Sequence, residues 1–570
     1  MKQLLCRASL LLMVALPMAC SNDTDNDTTE DKRITIDAGN LQFSIAEAAF
    51  GADTEIQMRS AKPIIARQEV NLGESVEAEI SIERDPAPAA TRAPKPMSDG
   101  NYTIVAYKDG VRIQQKLTFT VSSGFVTYTS SRSAFKSLPT GSYSFVCFND
   151  KVQDNNDGTF TVDLANAETA LINHQAAAYT QHTNTMVFFT MQRMGARVRT
   201  KLIAAMEPTG VNGTLGYLAN RIPASADYKV TYTAGSYIGS YIPSTNKNTS
   251  PKDEAQAYNV SGTVNDATLG SLNSLTGNQY LSVLAGTKPE DLVYSITGGS
   301  VYNSALNTNG TRSLKGSIPF EANGSYTLTI KILPRYLYLY EDGKTGHLKD
   351  ADRQSHVPIA VVFDAVNKRA ISLWDANGGN TARWYLLSDW DRQHNDVWYK
   401  DADALQPISD QGKHWTWDAS GSVDGTTIKA HEQSKYPPFY YAGKFYASSD
   451  LTSHLNGKTL SSNLNKDGVW YLPSIYEWIK VFEKLGFGDV SEARKWRSAP
   501  WKGRLVNSAF VGAGGTSIAR DPSNYYWCST ESKDDRRDAF HATVHPRIMA
   551  FTRSDKDWGR GPKTRPFVAY

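Results

Sequence analysis

The residues of this chain that could do chemistry are a pair of histidines, a cysteine, a glycine run and a set of aromatic rings. His541 and His545 stand four apart in Phe540-His-Ala-Thr-Val-His-Pro546. On a strand rising about 3.3 Å per residue they face one way but are too far apart to grip one zinc ion, which predicts two hydrogen-bonded structural histidines. Gly512-Ala-Gly-Gly515 follows an expected strand and opens no helical pattern, so it lacks the context of a phosphate loop and predicts a turn. Cys528 has no evident activating base, and neither a nucleophile elbow nor a Ser/His/Asp set is present. No catalytic residue, metal or cofactor is expected. Trp415 and Trp417 in His414-Trp-Thr-Trp-Asp418 would lie on one side of an extended segment, and Tyr436-Pro-Pro-Phe-Tyr-Tyr441 reads as a proline-stiffened aromatic loop. Trp415, Trp417, Tyr436 and Tyr440 are candidates for stacking on a sugar or peptide face, set against the alternative that such rings fill a small core.

The elements that must position these residues centre on Gly468-Val-Trp-Tyr-Leu-Pro-Ser-Ile-Tyr-Glu-Trp-Ile-Lys-Val-Phe-Glu-Lys-Leu-Gly486. Ser474 stands at an N-cap with Glu477 three residues on, a capping box, and Gly486 is expected to supply the stop. Ile475, Trp478, Ile479, Phe482 and Leu485 then form one apolar stripe that a sheet must cover. Trp470-Tyr-Leu-Pro-Ser, Glu477-Trp478, Tyr526-Trp-Cys-Ser-Thr-Glu531 and the ending Arg565-Pro-Phe567 together resemble lectin-like domains of bacterial surface lipoproteins. The resemblance covers about the last third of the chain and implies a C-type-lectin-like fold. Cys528 stands where that family shows a small hydroxyl residue. The calcium motifs of many lectins, Glu-Pro-Asn or Gln-Pro-Asp with Trp-Asn-Asp, are absent, so any sugar binding would not use calcium in that manner. Related folds include formylglycine-generating enzymes, but Cys528 has no reactive cysteine partner nearby in sequence, and an enzyme is not expected.

With 570 residues the chain is too long for one core, and three or four domains are expected. Its 60 basic and 58 acidic residues give no field suited to nucleic acid, and a nucleic-acid partner is excluded on that ground. Lys2 and Arg7 precede an apolar run from Ala8 to Leu16, followed by Pro17-Met-Ala-Cys20, a secretory signal too short to span a membrane permanently. Its end resembles a bacterial lipoprotein cleavage site, which implies that Cys20 is acylated and anchors the protein in the outer membrane. The following Ser-Asn-Asp-Thr-Asp-Asn-Asp-Thr-Thr-Glu-Asp31 has no apolar residue and reads as a tether. Cys147 and Cys528 are alone in different domains, so no disulfide between them is expected.

Along the chain, short alternating segments from Ile34 to Glu83 suit strands, and Asp85-Pro-Ala-Pro-Ala-Ala-Thr-Arg-Ala-Pro-Lys-Pro96 reads as an exposed linker around Arg92. Asn101–Tyr107, a turn at Asp109-Gly110, Leu117–Val121 and Gly141–Phe148 read as strands of a β-sandwich. A second domain is expected to open at Thr185–Lys201 and to close at Asn323–Ile332, whose Tyr326, Leu328, Ile330 and Ile332 alternate with polar residues. Asp99–Tyr102, Gly141-Ser-Tyr-Ser-Phe145, Met191-Gln-Arg-Met-Gly-Ala-Arg-Val198 and Gly324-Ser-Tyr-Thr-Leu328, in that order, resemble the fimbrillin family of type V pilus subunits. That resemblance implies two tandem transthyretin-like β-sandwiches, assembly by strand donation between subunits, and removal of an N-terminal strand by an arginine-directed protease, at Arg92 or alternatively Arg59 or Arg67. All 12 tryptophans lie from Trp374 to Trp558, which marks a change of domain type.

The expected organisation is mainly β: signal 1–20, tether 21–33, first sandwich with pro-segment 34–180, second sandwich 181–335, linker 336–355 and an α+β lectin-like domain 356–570. The reading that follows is a surface-exposed outer-membrane fimbrial subunit, a tip adhesin, that takes other pilus subunits as partners by strand donation. It would bind a glycan or protein receptor through its C-terminal domain. The alternative is a surface glycan-binding lipoprotein that never polymerises. The tip position is expected because Lys563–Tyr570 reads as a closing strand of the last domain, with no donor strand left over.

Overall fold

The computed structural model describes residues 33–51, 64–73, 75–86, 96–243, 246–247, 253–307, 310, 312–559 and 561–570. Cys20, Arg59 and Arg92 lie outside the described residues. The chain is mainly β, 46% strand and 14% helix, with curled sheets. No helix among the described residues is long and apolar enough to cross a membrane.

It divides into two units. One is built on an eight-stranded sheet in the order Ile34–Asp37, Leu41–Glu47, Thr185–Arg193, Leu171–Tyr179, Gly141–Asn149, Gly100–Lys108, Val111–Ser122, Phe125–Tyr128. Asp109 and Gly110 both take positive φ (51° and 80°), the two-residue turn that matches strand twist, and they join two of these strands as the sequence predicts. The core of this unit is aromatic, with Phe43 within 6.1 Å of Phe135, Phe145 and Phe189. Cys147 is a free, buried thiol inside it.

The other unit holds a ten-stranded sheet whose centre is Gly195–Ala204 and Ser325–Pro334, paired in parallel. The half-buried alternation expected of the closing strand is present: Tyr326, Leu328, Ile330 and Ile332 are buried, while Thr329 and Lys331 are partly exposed. Its other neighbour comes from far upstream, since Val76–Arg84 pairs with it antiparallel and Ile64–Asn71 forms the edge. A four-stranded sheet in the same unit joins Gln153–Asp154 and Thr159–Asp163 to Ser225–Thr233 and Ser236–Pro243.

These pairings correct the expected boundaries. The 34–180 segment does not form one sandwich, because its strands at 64–84 and 153–163 are hydrogen-bonded into sheets of the second unit. Nor does Thr185–Lys201 open a domain. Its ladder breaks at Met194, and a Cβ on Gly195 would lie 2.5 Å from the Ala167 carbonyl, so only glycine lets the backbone pass there. Residues 336–355 are not a free linker. Tyr338–Tyr340 and Thr345–Gly346 pair with each other and continue onto Pro358–Asp364 in a six-stranded sheet.

That six-stranded sheet runs Thr345–Gly346, Tyr338–Tyr340, Pro358–Asp364, Arg369–Ser372, Phe567–Ala569, Trp470–Tyr471. A four-stranded sheet of Ser498–Pro500, Ile548–Asp555, Asp538–Val544 and Asn524–Glu531 accompanies it. Phe567–Ala569 is bonded on both edges, the closing strand expected of the chain's last residues.

Candidate functional site

The helix Ile475–Lys484 is capped as its sequence predicts: Ser474 Oγ accepts from Glu477 N (3.3 Å) and Glu477 Oε2 accepts from Ser474 N (2.9 Å). Ile475, Trp478, Ile479 and Phe482 are buried, and Trp478 meets Tyr526 and Phe567 at 5.2 and 5.3 Å between ring centres. The stop differs in its residue. Phe487, not Gly486, takes the left-handed conformation (φ 55°), while Gly486 is small because Trp501 packs where its Cβ would be.

Glu477 does more than cap. It is 2% exposed, accepts a bond from the Tyr471 hydroxyl, and lines one side of an open cleft of about 520 Å³. Burial first, then the charge of Asp410, pushes its carboxyl up to about 7. Across from it runs the short helix Gly412–Trp417, tied to the strand beneath it. Thr416 Oγ1 donates to Gly412 O (2.8 Å) and accepts from Leu472 N (3.2 Å), and Trp417 Nε1 donates to Trp470 O (2.5 Å). A Cβ on Gly412 would fall 2.4 Å from Glu477 Oε2, which is why the helix opens on glycine.

This helix corrects the expectation of an extended Trp415-Thr-Trp417 segment. Successive side chains on a helix diverge by about 100°, so the two indoles part. Trp415 is fully buried, with Nε1 donating to Asp396 Oδ1 (2.8 Å). Trp417 is half-buried and lines the cleft. Tyr436 is buried against Trp384, Tyr385 and Phe439 with its hydroxyl 3.2 Å from His394 Nδ1, and Tyr440 packs edge-on to Tyr441. The proline-led stretch is the helix Pro437–Gly443, not a loop. Of the four candidate rings, Trp417 alone lines the cleft.

Arg369, Lys413, His414 and Asp410 complete the working groups of the cleft. Asp410 is paired with Lys480 (2.7 Å), and His414 lies between Asp396 (3.6 Å) and Asp418 (3.4 Å). Arg369 stands over the Tyr471 ring, 5.7 Å from its centre. Sequence reasoning missed Arg369 and Lys413, because isolated cations on separate elements leave no spacing signal.

A buried polar knot holds the excursion from Asp375 to Tyr436 that frames this region. Glu531, with no exposure, accepts from the His394 and Asn395 amides and pairs with Lys556, which donates to Arg392 O (2.7 Å) and Arg536 O (2.9 Å). Burial pushes His394 down to about 4, so it stays neutral here. Lys429 donates to Gly421 O and Ser422 Oγ, and burial lowers it to about 8. Arg565 is fully buried against Asp375 (2.6 Å). Such pairs fix geometry more than they stabilise, because desolvation offsets their attraction.

The other residues singled out in the sequence are structural. His541 is buried on its strand with its ring 3.0 Å from Ser554 Oγ, and His545 lies past the strand's end, accepting from Arg547 N. Gly512–Gly515 follows the helix Gly503–Gly512 and not a strand, and ends it, Gly515 N bonding to Phe510 O (2.8 Å). Cys528 is sealed in the core, and burial holds its thiol far above the range of a nucleophile. Glu341, Asp342 and His356 could offer donors to a cation, but Asp342 already pairs with Arg353 (3.1 Å) and Glu341 accepts from Val357 N (2.8 Å). Arg67 is exposed on the edge strand Ile64–Asn71, opposite Ser81.

No protein-family profile matches the chain, and no curated protein matches it. Among solved structures it is similar to a provisionally assigned cell adhesion protein of Bacteroides fragilis, at 14% identity over 54% of this chain and 95% of that one, with a TM-score of 0.25. A second such protein, from Bacteroides uniformis, is 13% identical over 41% of this chain and 86% of that one, with a TM-score of 0.24. The fimbrial anchor protein Mfa2 from Porphyromonas gingivalis is 8% identical over 48% and 92%, with a TM-score of 0.23. Scores this low leave the functional reading to the residues themselves.

Proposed function

We propose that this chain is a fimbrial subunit of adhesive type, exported to the cell surface as a lipoprotein acylated at Cys20 and freed of that segment on assembly, whose C-terminal domain holds a surface glycan in the cleft beside Trp417. The observation that supports assembly is the strand Val76–Arg84. Its Val76, Ala78, Ile80 and Ile82 form a fully buried row, with Ile82 opposite Leu328, Ile80 opposite Ile330 and Ala78 opposite Ile332. Cutting the chain within residues 87–95 would free this strand, and its loss would bare one edge of Ser325–Pro334 above an apolar groove. A neighbour's strand of the same alternation fills such a groove with main-chain bonds and side chains at every second position.

Gel electrophoresis of surface fibres, boiled and unboiled, tests the reading. A strand-exchanged subunit runs as a ladder of heat-sensitive oligomers that collapses to one band on boiling. A single monomer band from unboiled, intact fibres would leave only the non-polymerising alternative.

A further inference from the structure

We infer that the cleft lined by Arg369, Lys413 and Trp417 receives a carboxylated saccharide, the two cations holding the carboxylate of a uronic-acid residue while its ring lies along the indole. This deepens the reading of the C-terminal domain as a glycan-binding head and rests on it.

The charge inventory of the cleft carries the argument. Its acidic groups are engaged: Asp410 by Lys480, Asp418 by His414 and the Ser420 amide and hydroxyl, and Glu477 by Ser474 N and the Tyr471 hydroxyl. Its cations are not. Among the described residues neither Arg369 nor Lys413 makes an ion pair, and the contact that positions Arg369 is the Tyr471 ring. Partial desolvation first, then the neighbouring charges of Arg369 and Lys466, depress Lys413. A guanidinium held by a ring keeps its fork free for a carboxylate, the geometry in which arginine binds most strongly.

Size and walls favour a saccharide over a bare acidic side chain. The cleft, about 520 Å³, falls within the range of about 300–1,000 Å³ typical of small-ligand sites. The Trp417 indole is anchored through Nε1 to Trp470 O, with Lys444 over the ring 5.2 Å from its centre, and its half-exposed part is a fixed wall of the cleft. Gln411 adds a polar side chain suited to hydroxyls. Lys413 is exposed at the mouth, where it can meet an incoming anion.

The test uses the full-length protein and a tri-galacturonate probe, with its carboxyl-reduced neutral counterpart and a tri-glutamate peptide as comparisons, by titration calorimetry at two salt concentrations. The galacturonate is expected to bind roughly tenfold or more tightly than either comparison, and less tightly at high salt. Arg369→Gln and Lys413→Gln should each weaken it by roughly tenfold, as losing a charged hydrogen bond does. Lys413 is exposed, so its variant keeps the fold, checked by an unchanged melting curve. Equal binding of the neutral sugar, unmoved by either variant, would overturn this inference while leaving the glycan-binding head standing. Equal binding of the peptide would show that the cleft reads charge alone and would also overturn it. No saccharide binding at all would remove both, although the ladder test of assembly would be untouched.

Discussion

At the scale of single residues, Glu477 links the fold to the cleft. Its carboxyl is favoured in the protonated form, because burial outweighs the two hydrogen bonds it accepts and Asp410 adds a like charge, while Arg369 opposes the shift. A raised carboxyl contributes stability that is complete below its unfolded value of 4.5 and is lost as pH rises through about 7. Glu477→Gln keeps the shape and a neutral head with an acceptor for Ser474 N, so it should flatten the fall in thermal midpoint between about pH 5 and pH 8. Melting curves across that range decide it, and parallel pH profiles for the variant and the natural chain would show that Glu477 does not titrate there. On the acid side His394 has the opposite sign. Its lowered value means that its contribution is complete above 6.5 and is lost as pH falls through about 4.

At the scale of elements, what the sequence made legible was local. The capping box and the apolar stripe of Ile475–Lys484 follow from spacings within one helix, and the Asp109-Gly110 hairpin follows from two residues that tolerate positive φ. The Trp-Thr-Trp alternation misled because a six-residue helix is too short to declare its period, and this one is held by bonds to Leu472 and Trp470 that lie more than fifty residues away. Strand partners were illegible for the same reason. Nothing in Val76–Arg84 announces that it pairs with Ser325–Pro334 and not with its own neighbours in sequence. That pairing nevertheless supports the choice among processing sites. Arg67 lies within a hydrogen-bonded ladder, which a protease must open before cutting, whereas Arg92 sits between prolines in the 87–95 stretch, after the whole hairpin 64–84. Sequencing the N-terminus of assembled protein should therefore give Ala93. A mature chain still starting at Cys20 would exclude strand release, and a start at Ser60, after Arg59, would leave the buried strand in place and remove the groove.

At the scale of the molecule, residues 336–355, expected as a linker, instead contribute strands to the C-terminal sheet. Tyr338–Tyr340 is a strand of the C-terminal sheet, Lys349 is paired with Glu69 (2.9 Å) and Glu77 (3.0 Å) of the ten-stranded sheet's outer hairpin, and Phe487 packs on Tyr302 at 5.1 Å. The strand Ser325–Pro334 thus passes directly into the next sheet, and Phe567–Ala569 is locked between Arg369–Ser372 and Trp470–Tyr471. Neither segment can be lent to a neighbour without dismantling the sheet it belongs to. On the fimbrial reading proposed above, a subunit with these two strands consumed would accept a donor strand only at its N-terminal groove, and we propose that growth stops at its C-terminal domain. The placement proposed for the C-terminal domain is therefore at fibre ends. Immunogold labelling with antibody against residues 356–570 should mark tips, and regular labelling along the shaft would sink the placement while leaving the cleft and its ligand as separate questions.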